Sequence, residues 1–274
     1  MKDNRDKLFI VLIITTLIFS LFTIYVYSES EREVRVSAKA AALYDPTDQT
    51  FLYLKNGHER LPMASTTKIM TAIVAIENCE LDKIVTVDER AVGIEGSSVY
   101  LKVGEEISVE SLLYALMLRS ANDAAAAIAY DISGSIEAFS SLMNEKAASL
   151  GLANTSFENP HGLDSKNHYT SAHDLAIISA YAISNPIFRE ICSSKKKIID
   201  SSSESRLLIN HNKLLNLYEG CIGIKTGYTK KSGRSLASAS DKYGHTLICV
   251  TIDAPDDWND HKLLFDYGFM RLSV

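Results

Sequence analysis

The chain has 274 residues, 46% hydrophobic and 23% charged, a balance that reads as globular with ample length for one large domain or a domain with a small lobe. A formal net charge of −6 argues against a nucleic-acid partner, because phosphate binding needs a basic surface. Four scattered cysteines (Cys79, Cys192, Cys221, Cys249) are too few to staple a domain of this size. They allow three full pairings, among which sequence does not choose, and they form no CxxC pair. The seven histidines include no His-Glu-x-x-His and read as structural or surface residues, so no metal and no cofactor is expected.

At the N-terminus, Lys2, Arg5 and Lys7 precede an uncharged stretch from Leu8 to Tyr27. Its length and positive flank suit either a signal peptide, cleaved after Ser28, or a single membrane span. Positive residues before the span keep the N-terminus cytoplasmic and place everything after Ser28 outside. Residues 1–28 are therefore expected to be a leader or anchor, and 29–274 the working domain.

Val34–Tyr44 reads as a strand, Asp45-Pro46-Thr47-Asp48 as a turn and Thr50–Leu54 as the hairpin partner. A helix is predicted from Ser65 to Glu77, with Ile69, Ile73 and Ile76 at helical spacing and buried. Ser65 and Lys68 stand three positions apart, hence on one helix face. A serine hydroxyl is a weak nucleophile, and a nearby amine that can take its proton is one way of activating it. Alone, a Ser-x-x-Lys pair is usually two exposed helix residues with no joint role.

Glu110–Arg119, Asp123–Ile132 and Ile136–Leu150 form a helical section rich in Ala and Leu, with Gly151 capping the last helix. Ser120-Ala121-Asn122 lies between the first two; its plain alternative is that Asn122 caps the helix that follows. Asn159–His168 has turn composition and reads as a loop near the site. Ala172–Ile183 is a helix stopped by Asn185-Pro186, and the polar Lys195–Ser205, with serines at 201–203, reads as an exposed loop. Strands return at Gly220–Thr226, Ser235–Ser240 and Thr246–Asp253. The first of them runs into Lys225-Thr226-Gly227, which by itself could be a strand ending in a turn. The last helix, Trp258–Phe269, would cover the sheet with Leu263, Leu264, Phe265 and Tyr267. Strands at both ends with helices between them suggest an α+β fold with a mostly antiparallel sheet flanked by helices.

Taken together, the three short motifs occur in the order used by penicillin-binding proteins and class A β-lactamases. The longer strings Pro62-Met63-Ala64-Ser65-Thr66-Thr67-Lys68-Ile69-Met70-Thr71-Ala72, Ser120-Ala121-Asn122-Asp123-Ala124-Ala125, Asn159-Pro160-His161-Gly162-Leu163 and Gly223-Ile224-Lys225-Thr226-Gly227-Tyr228-Thr229 resemble the low-molecular-mass D-alanyl-D-alanine carboxypeptidases. These are penicillin-binding serine peptidases that trim peptidoglycan stem peptides. The resemblance runs from about Ala38 to about Phe269 and implies the β-lactamase/transpeptidase-like architecture, with the first and last segments sharing one sheet. Many members carry a C-terminal β-rich domain followed by an amphipathic anchor. This chain stops at Val274, which puts the expected membrane attachment on Leu8–Tyr27.

By resemblance, Ser65 is the nucleophile that attacks the carbonyl between the last two D-alanines of the stem peptide. D-Alanine leaves, and water hydrolyses the ester. Lys68 is the candidate general base, but only as a neutral amine. An unperturbed lysine titrates at about 10.4, so burial and the nearby Lys225 would have to lower it. Ser120 would relay a proton to the leaving amine, and Asn122 would bind the substrate amide. Lys225 and Thr226 would receive the free carboxylate, and Gly227 would let substrate backbone approach the strand. The oxyanion hole would be the backbone N–H groups of Ser65 and Tyr228. Some relatives add an arginine after the last strand; the stretch Ala254–His261 has none here, and Arg234 is the candidate substitute.

Two rival readings share the fold. A β-lactamase would need a water-positioning Glu between the second and third motifs, and Glu158-Asn159-Pro160-His161-Gly162-Leu163 lacks the Glu-x-x-Leu-Asn pattern. A non-hydrolytic β-lactam or muropeptide receptor would keep acylation without turnover, and no residue favours it.

Overall fold

The computed structural model describes residues 13–20 and 34–272. Residues 13–20 are helical and exposed, whereas the rest of the Leu8–Tyr27 segment and the Ser28 cleavage site lie outside the described residues. Among the described residues no helix is long and apolar enough to cross a membrane.

The centre is a five-stranded antiparallel sheet built from both ends of the chain. β1 (Ala40–Asp45) and β2 (Thr50–Lys55) form the first hairpin; β7 (Cys221–Thr229), β8 (Gly233–Lys242) and β9 (His245–Ile252) return at the end. Their order is β2-β1-β9-β8-β7, so Ala42 pairs with Val250 across two hundred residues of chain, and β7 is an edge strand. The strand period of two sorts residues between the faces. Ala40, Ala42, Ile248 and Val250 join the helical lobe, while Ala41, Leu43, Leu247 and Cys249 meet the final helix.

That lobe contains α1 (Lys68–Asn78), α2 (Val109–Leu118), α3 (Asn122–Ser133), α4 (Ile136–Ser149), α5 (Ala172–Ser184) and α6 (Pro186–Ser193). Ala124 to Ala127 and Ala129 are buried, because alanines let neighbouring helices approach α3 closely. Gly151 ends α4 as expected: at φ +73° its N–H reaches Ala148 O, and Leu152 N reaches Ala147 O. Asn185-Pro186 stops α5 but also starts α6. The Asn185 side chain accepts from the Ile187 and Phe188 amides, and Pro186 needs no donor at that position.

Several boundaries differ from the sequence reading. The first strand begins at Ala40 rather than Val34, because residues 37–39 bond elsewhere: Ser37 N and Ala38 N donate to the Asp260 carboxylate, and Lys39 N donates to Asp253 O. A small pair, β3 (Ile84–Thr86) with β4 (Glu106–Ser108), was not anticipated. Lys195–Ser205 is not a loop. β5 (Lys196–Asp200) and β6 (Ser205–Ile209) form a hairpin with Ile199 and Leu208 turned inward, and the serines make its turn. Arg206, bonded to Glu105 at 2.5 and 3.0 Å, fastens this hairpin to the chain before β4.

After the short α7 (Leu214–Leu217), the chain closes with α8 (Asp257–Leu272). Leu264, Phe265 and Phe269 cover the sheet, and the half-buried Tyr267 packs against the same cluster; Leu263 faces solvent, contrary to expectation. Gly268 allows the close fit, since a Cβ there would fall 2.6 Å from Leu247 Cδ1 and 2.7 Å from Leu43 Cδ2.

Candidate active site

Ser65 does not sit in α1 itself. It belongs to a single 3-10 turn, Ala64–Thr67, that leads into the helix at Lys68. The turn is made possible by Gly162 of the Asn159–His168 loop, whose hydrogen lies where a Cβ would be 2.0 Å from Ala64 O and 2.9 Å from Ser65 N. That loop is tied down from both sides. Thr71 Oγ1 donates to Pro160 O at 2.6 Å, Gly162 N to Asn159 Oδ1 at 2.7 Å, and Asn159 Nδ2 to Leu163 O at 3.0 Å.

Lys68 is fully buried, and its Nζ has three neighbours: Ser65 Oγ at 3.1 Å, Asn122 Oδ1 at 2.6 Å and His161 O at 2.5 Å. Burial first, then the charge of Lys225, push its pKa well below the usual lysine value; Asp123 opposes them. A neutral amine has two N–H donors and one lone pair. The two carbonyl-type acceptors take both hydrogens, which leaves the lone pair for the Ser65 O–H. The geometry therefore suits a base poised on the nucleophile.

Asn122 is the first residue of α3 and makes no cap bond; the helix is entered at Ala121. Its amide is engaged at both ends, since Nδ2 donates to Glu95 O at 2.5 Å and Oδ1 receives Lys68. Asp123 then gathers the preceding loop, accepting from Ser98 Oγ, Val99 N and Leu101 N, while Asn122 N donates to Ser97 O. Sequence reading missed this support, because no local pattern announces it.

Ser65 opens into a cavity of about 700 Å³ that Ser97, Ser120, Thr226, Gly227, Tyr228 and Arg234 also line. Ser120 holds a left-handed φ of +60° beside it. On β7, the Gly227 Cα faces the nucleophile turn, and a Cβ there would stand 3.1 Å from Ser65 N and 3.2 Å from Thr66 N. The glycine thus lets the strand pack closely against the nucleophile turn. Lys225 is 1% exposed and its Nζ donates to Thr226 O at 2.9 Å; burial lowers its pKa to about 7. Lys225 is not among the residues lining the cavity.

His168, read from sequence as a structural or surface residue, is a buried link to the nucleophile turn. Its Nδ1 accepts from Glu158 N at 3.0 Å, so in the neutral ring Nε2 carries the hydrogen and meets Thr67 Oγ1 at 2.7 Å. Thr67 Oγ1 passes its own hydrogen to Ala64 O at 2.8 Å. Burial lowers the His168 pKa to about 4 and that of His161 to about 3, so both rings are neutral near pH 7. All four cysteines are free thiols. Among the described residues no group of three or more His, Cys, Asp or Glu side chains is placed to hold a metal ion.

An antiparallel sheet with one covering helix on one face, a helical lobe on the other and a serine at their junction defines the penicillin-binding protein/transpeptidase fold. The Streptomyces K15 DD-transpeptidase superposes with a TM-score of 0.82 at 31% identity, over 86% of this chain and 98% of that one. A D-alanyl-D-alanine carboxypeptidase from Mycobacterium tuberculosis gives 0.82 at 30%, over 86% and 92%. Residues 27–256 match the profile of the peptidase S11 family, described as D-alanyl-D-alanine carboxypeptidase, and the chain belongs to that family. Curated relatives include DacF of Bacillus subtilis, 37% identical over 87% of this chain, and DacB2 of Mycobacterium tuberculosis, 33% identical over 76%. The aligned region spans 64% of DacF and 74% of DacB2.

Proposed function

We propose that the chain is a serine-type D-Ala-D-Ala carboxypeptidase that removes the terminal D-alanine from peptidoglycan stem pentapeptides through an ester on Ser65, and that penicillin acylates the same hydroxyl. The observation that carries this reading is the Lys68 amine, 3.1 Å from Ser65 Oγ and with its pKa driven down by burial. Lys68 takes the Ser65 proton as Oγ attacks the carbonyl. Ser120 relays that proton from Lys68 to the leaving nitrogen, the C–N bond breaks, free D-alanine departs, and Lys68 is neutral again. Water then cleaves the ester and restores Ser65.

Asn122 holds Lys68 through Oδ1, and its Nδ2, which gives one hydrogen to Glu95 O, keeps a second N–H for a substrate carbonyl. Lys225, on the same face of β7 as Gly227, supplies positive field to Lys68. Tyr228 and Ser65 offer their amides to the oxyanion, brought together because Gly227 has no side chain to hold the strand away. β7 is an edge strand, so an extended peptide can lie along it in the manner of an added strand.

The β-lactamase reading is less well supported. The Glu158 carboxylate is tied to Ser165 and to Asn167 N and Nδ2 within its own loop. On this proposal the reaction lies outside the cytoplasm, with Leu8–Tyr27 serving either as a membrane anchor or as a signal cleaved after Ser28. N-terminal sequencing of native protein separates a retained segment from cleavage after Ser28.

Incubating the full-length protein with a pentapeptide ending in D-Ala-D-Ala should release D-alanine in large excess over enzyme. Ser65→Ala should abolish both release and labelling by fluorescent penicillin. Stoichiometric release would favour a receptor, and release by the Ala variant would make Ser65 the wrong nucleophile.

A further inference from the structure

The connection between β3 and β4, residues 87–105, lies over Asn122 and contributes no side chain to the reaction above. Its neck is closed by Val87 N donating to Glu105 O at 2.9 Å and Gly104 N donating to Val87 O at 2.8 Å. From the β5–β6 hairpin, Arg206 holds it through the Glu105 carboxylate and through Tyr100 O at 3.3 Å. Between these fixed points Glu95-Gly96-Ser97 crosses the Asn122 side chain. Glu95 O accepts from Asn122 Nδ2 at 2.5 Å, and Ser97 O accepts the Asn122 backbone N–H at 2.7 Å.

That crossing needs a glycine. Gly96 has φ +99°, and a Cβ there would stand 2.8 Å from Asn122 Nδ2. The Glu95 carbonyl also decides which way round the amide lies, since a primary amide has a donor end and an acceptor end. With Nδ2 held by Glu95 O, Oδ1 is left to face the Lys68 amine at 2.6 Å. Turned over, the amide would offer an N–H to Lys68 and take up the lone pair that Ser65 needs.

Asp123 keeps the crossing in place. Its carboxylate, 1% exposed, accepts from Ser98 Oγ at 2.5 Å, Val99 N at 3.2 Å and Leu101 N at 3.0 Å. Ser98 Oγ in turn accepts from Tyr100 N at 2.9 Å. One buried carboxylate thus fixes the segment that follows Gly96, from the residue next to Asn122 in the chain.

We infer that Gly96 and Asp123 are positioning residues that together hold the Glu95 carbonyl over Asn122 and so keep the amide oxygen, not its nitrogen, on Lys68. This rests on the peptidase reading and names what keeps its base in working orientation.

The test follows the rate constant for labelling of full-length protein by fluorescent penicillin across pH. Gly96→Ala should lower the plateau rate by about 10²-fold, the cost of about an ångström of misplacement. It should also move the acid limb to lower pH, because the ammonium form of Lys68 loses an acceptor that favours it. Asp123→Asn should do both, since a negative charge that favours the ammonium form is removed as well. Gly93→Ala is the control. Gly93 has φ +78° in the same connection, but nothing lies within 4 Å of its Cβ position, so it carries the backbone strain without the contact. It should label at the wild-type rate.

A wild-type rate in Gly96→Ala, an equal loss in Gly93→Ala, or an acid limb that does not move in Gly96→Ala overturns the assignment. If Gly96→Ala and Asp123→Asn fail to fold, Ser98→Ala, which removes one bond from the Asp123 carboxylate, decides on the same two readouts. Slower labelling with the limb at lower pH supports the assignment, and a wild-type profile overturns it. Absence of labelling in the wild-type protein removes the peptidase reading itself.

Discussion

Two buried polar clusters lie on opposite faces of the same sheet, and they do different work. On the helical side, the Lys68 amine is bonded to Asn122 and His161 and reaches Ser65 at the edge of a cavity. Under α8, His261 bridges Ser238 Oγ at 2.5 Å and Thr251 Oγ1 at 3.0 Å, and Asp260 pins the Ser37–Ala38 backbone. Both clusters depress the pKa of a basic group by burial, Lys68 well below its usual value and His261 to about 3. The difference lies in access. Lys68 touches a group that a substrate can reach, whereas His261 touches only strands and helix, so the same desolvation supplies a base in one place and a rigid joint in the other.

The largest effect should come from the cluster that faces the cavity. Lys68→Met is expected to slow acylation of Ser65 by about 10²–10⁴-fold, the usual contribution of a general base. The rate of penicillin labelling measures it, and the denaturation midpoint should not fall, because a buried amine is itself costly. In the wild type, acylation should decline as pH falls through the lowered Lys68 pKa, since the protonated amine has no lone pair. A labelling rate that rises toward acid would contradict that sign.

Gly227→Ala comes next. Its Cβ would press on Ser65 N at 3.1 Å, shifting strand against nucleophile, and misplacement on that scale costs about 10²-fold in rate. Turnover and melting temperature measured together should show a large loss in the first and a small one in the second.

The opposite split is expected at His261. Truncation to Ala leaves Ser238 and Thr251 facing each other without a partner and should cost about 1–3 kcal/mol in urea unfolding, with activity per folded molecule unchanged. His261 also predicts a pH dependence. Its folded pKa lies below the unfolded value near 6.5, so the unfolded state binds the proton first and stability is lost progressively as pH drops from about 6.5 toward 3. The His261→Ala protein should lose less stability over that interval than the wild type.

The smallest effect belongs to the outward face of the β5–β6 hairpin. Ile198, 62% exposed, replaced by Thr should move stability by no more than about 0.5 kcal/mol and leave activity unchanged.

Much of the site was legible in the sequence because its chemistry is written in short motifs. The Ser65–Lys68 spacing, Ser120-x-Asn122 and Lys225-Thr226-Gly227 can be read without knowing the fold, and the helices at 109–118, 122–133 and 136–149 follow from local periodicity. The hairpin at 196–209 escaped because lysines and serines outweighed the alternation that turns Ile199 and Leu208 inward. The strand expected from Val34 was too long because Asp260, over two hundred residues away, takes the amides of Ser37 and Ala38.

By itself, then, the sequence determined the candidate reacting groups, the α+β class and the family, since these depend on residue types at fixed short spacings. Tertiary structure decided what those groups can do. It buried Lys68 and Lys225; it engaged both ends of Asn122 and brought Arg234 to the cavity through its cross-strand register. Each of these is a matter of desolvation or of contact between distant segments, and neither is encoded in any window of neighbouring residues.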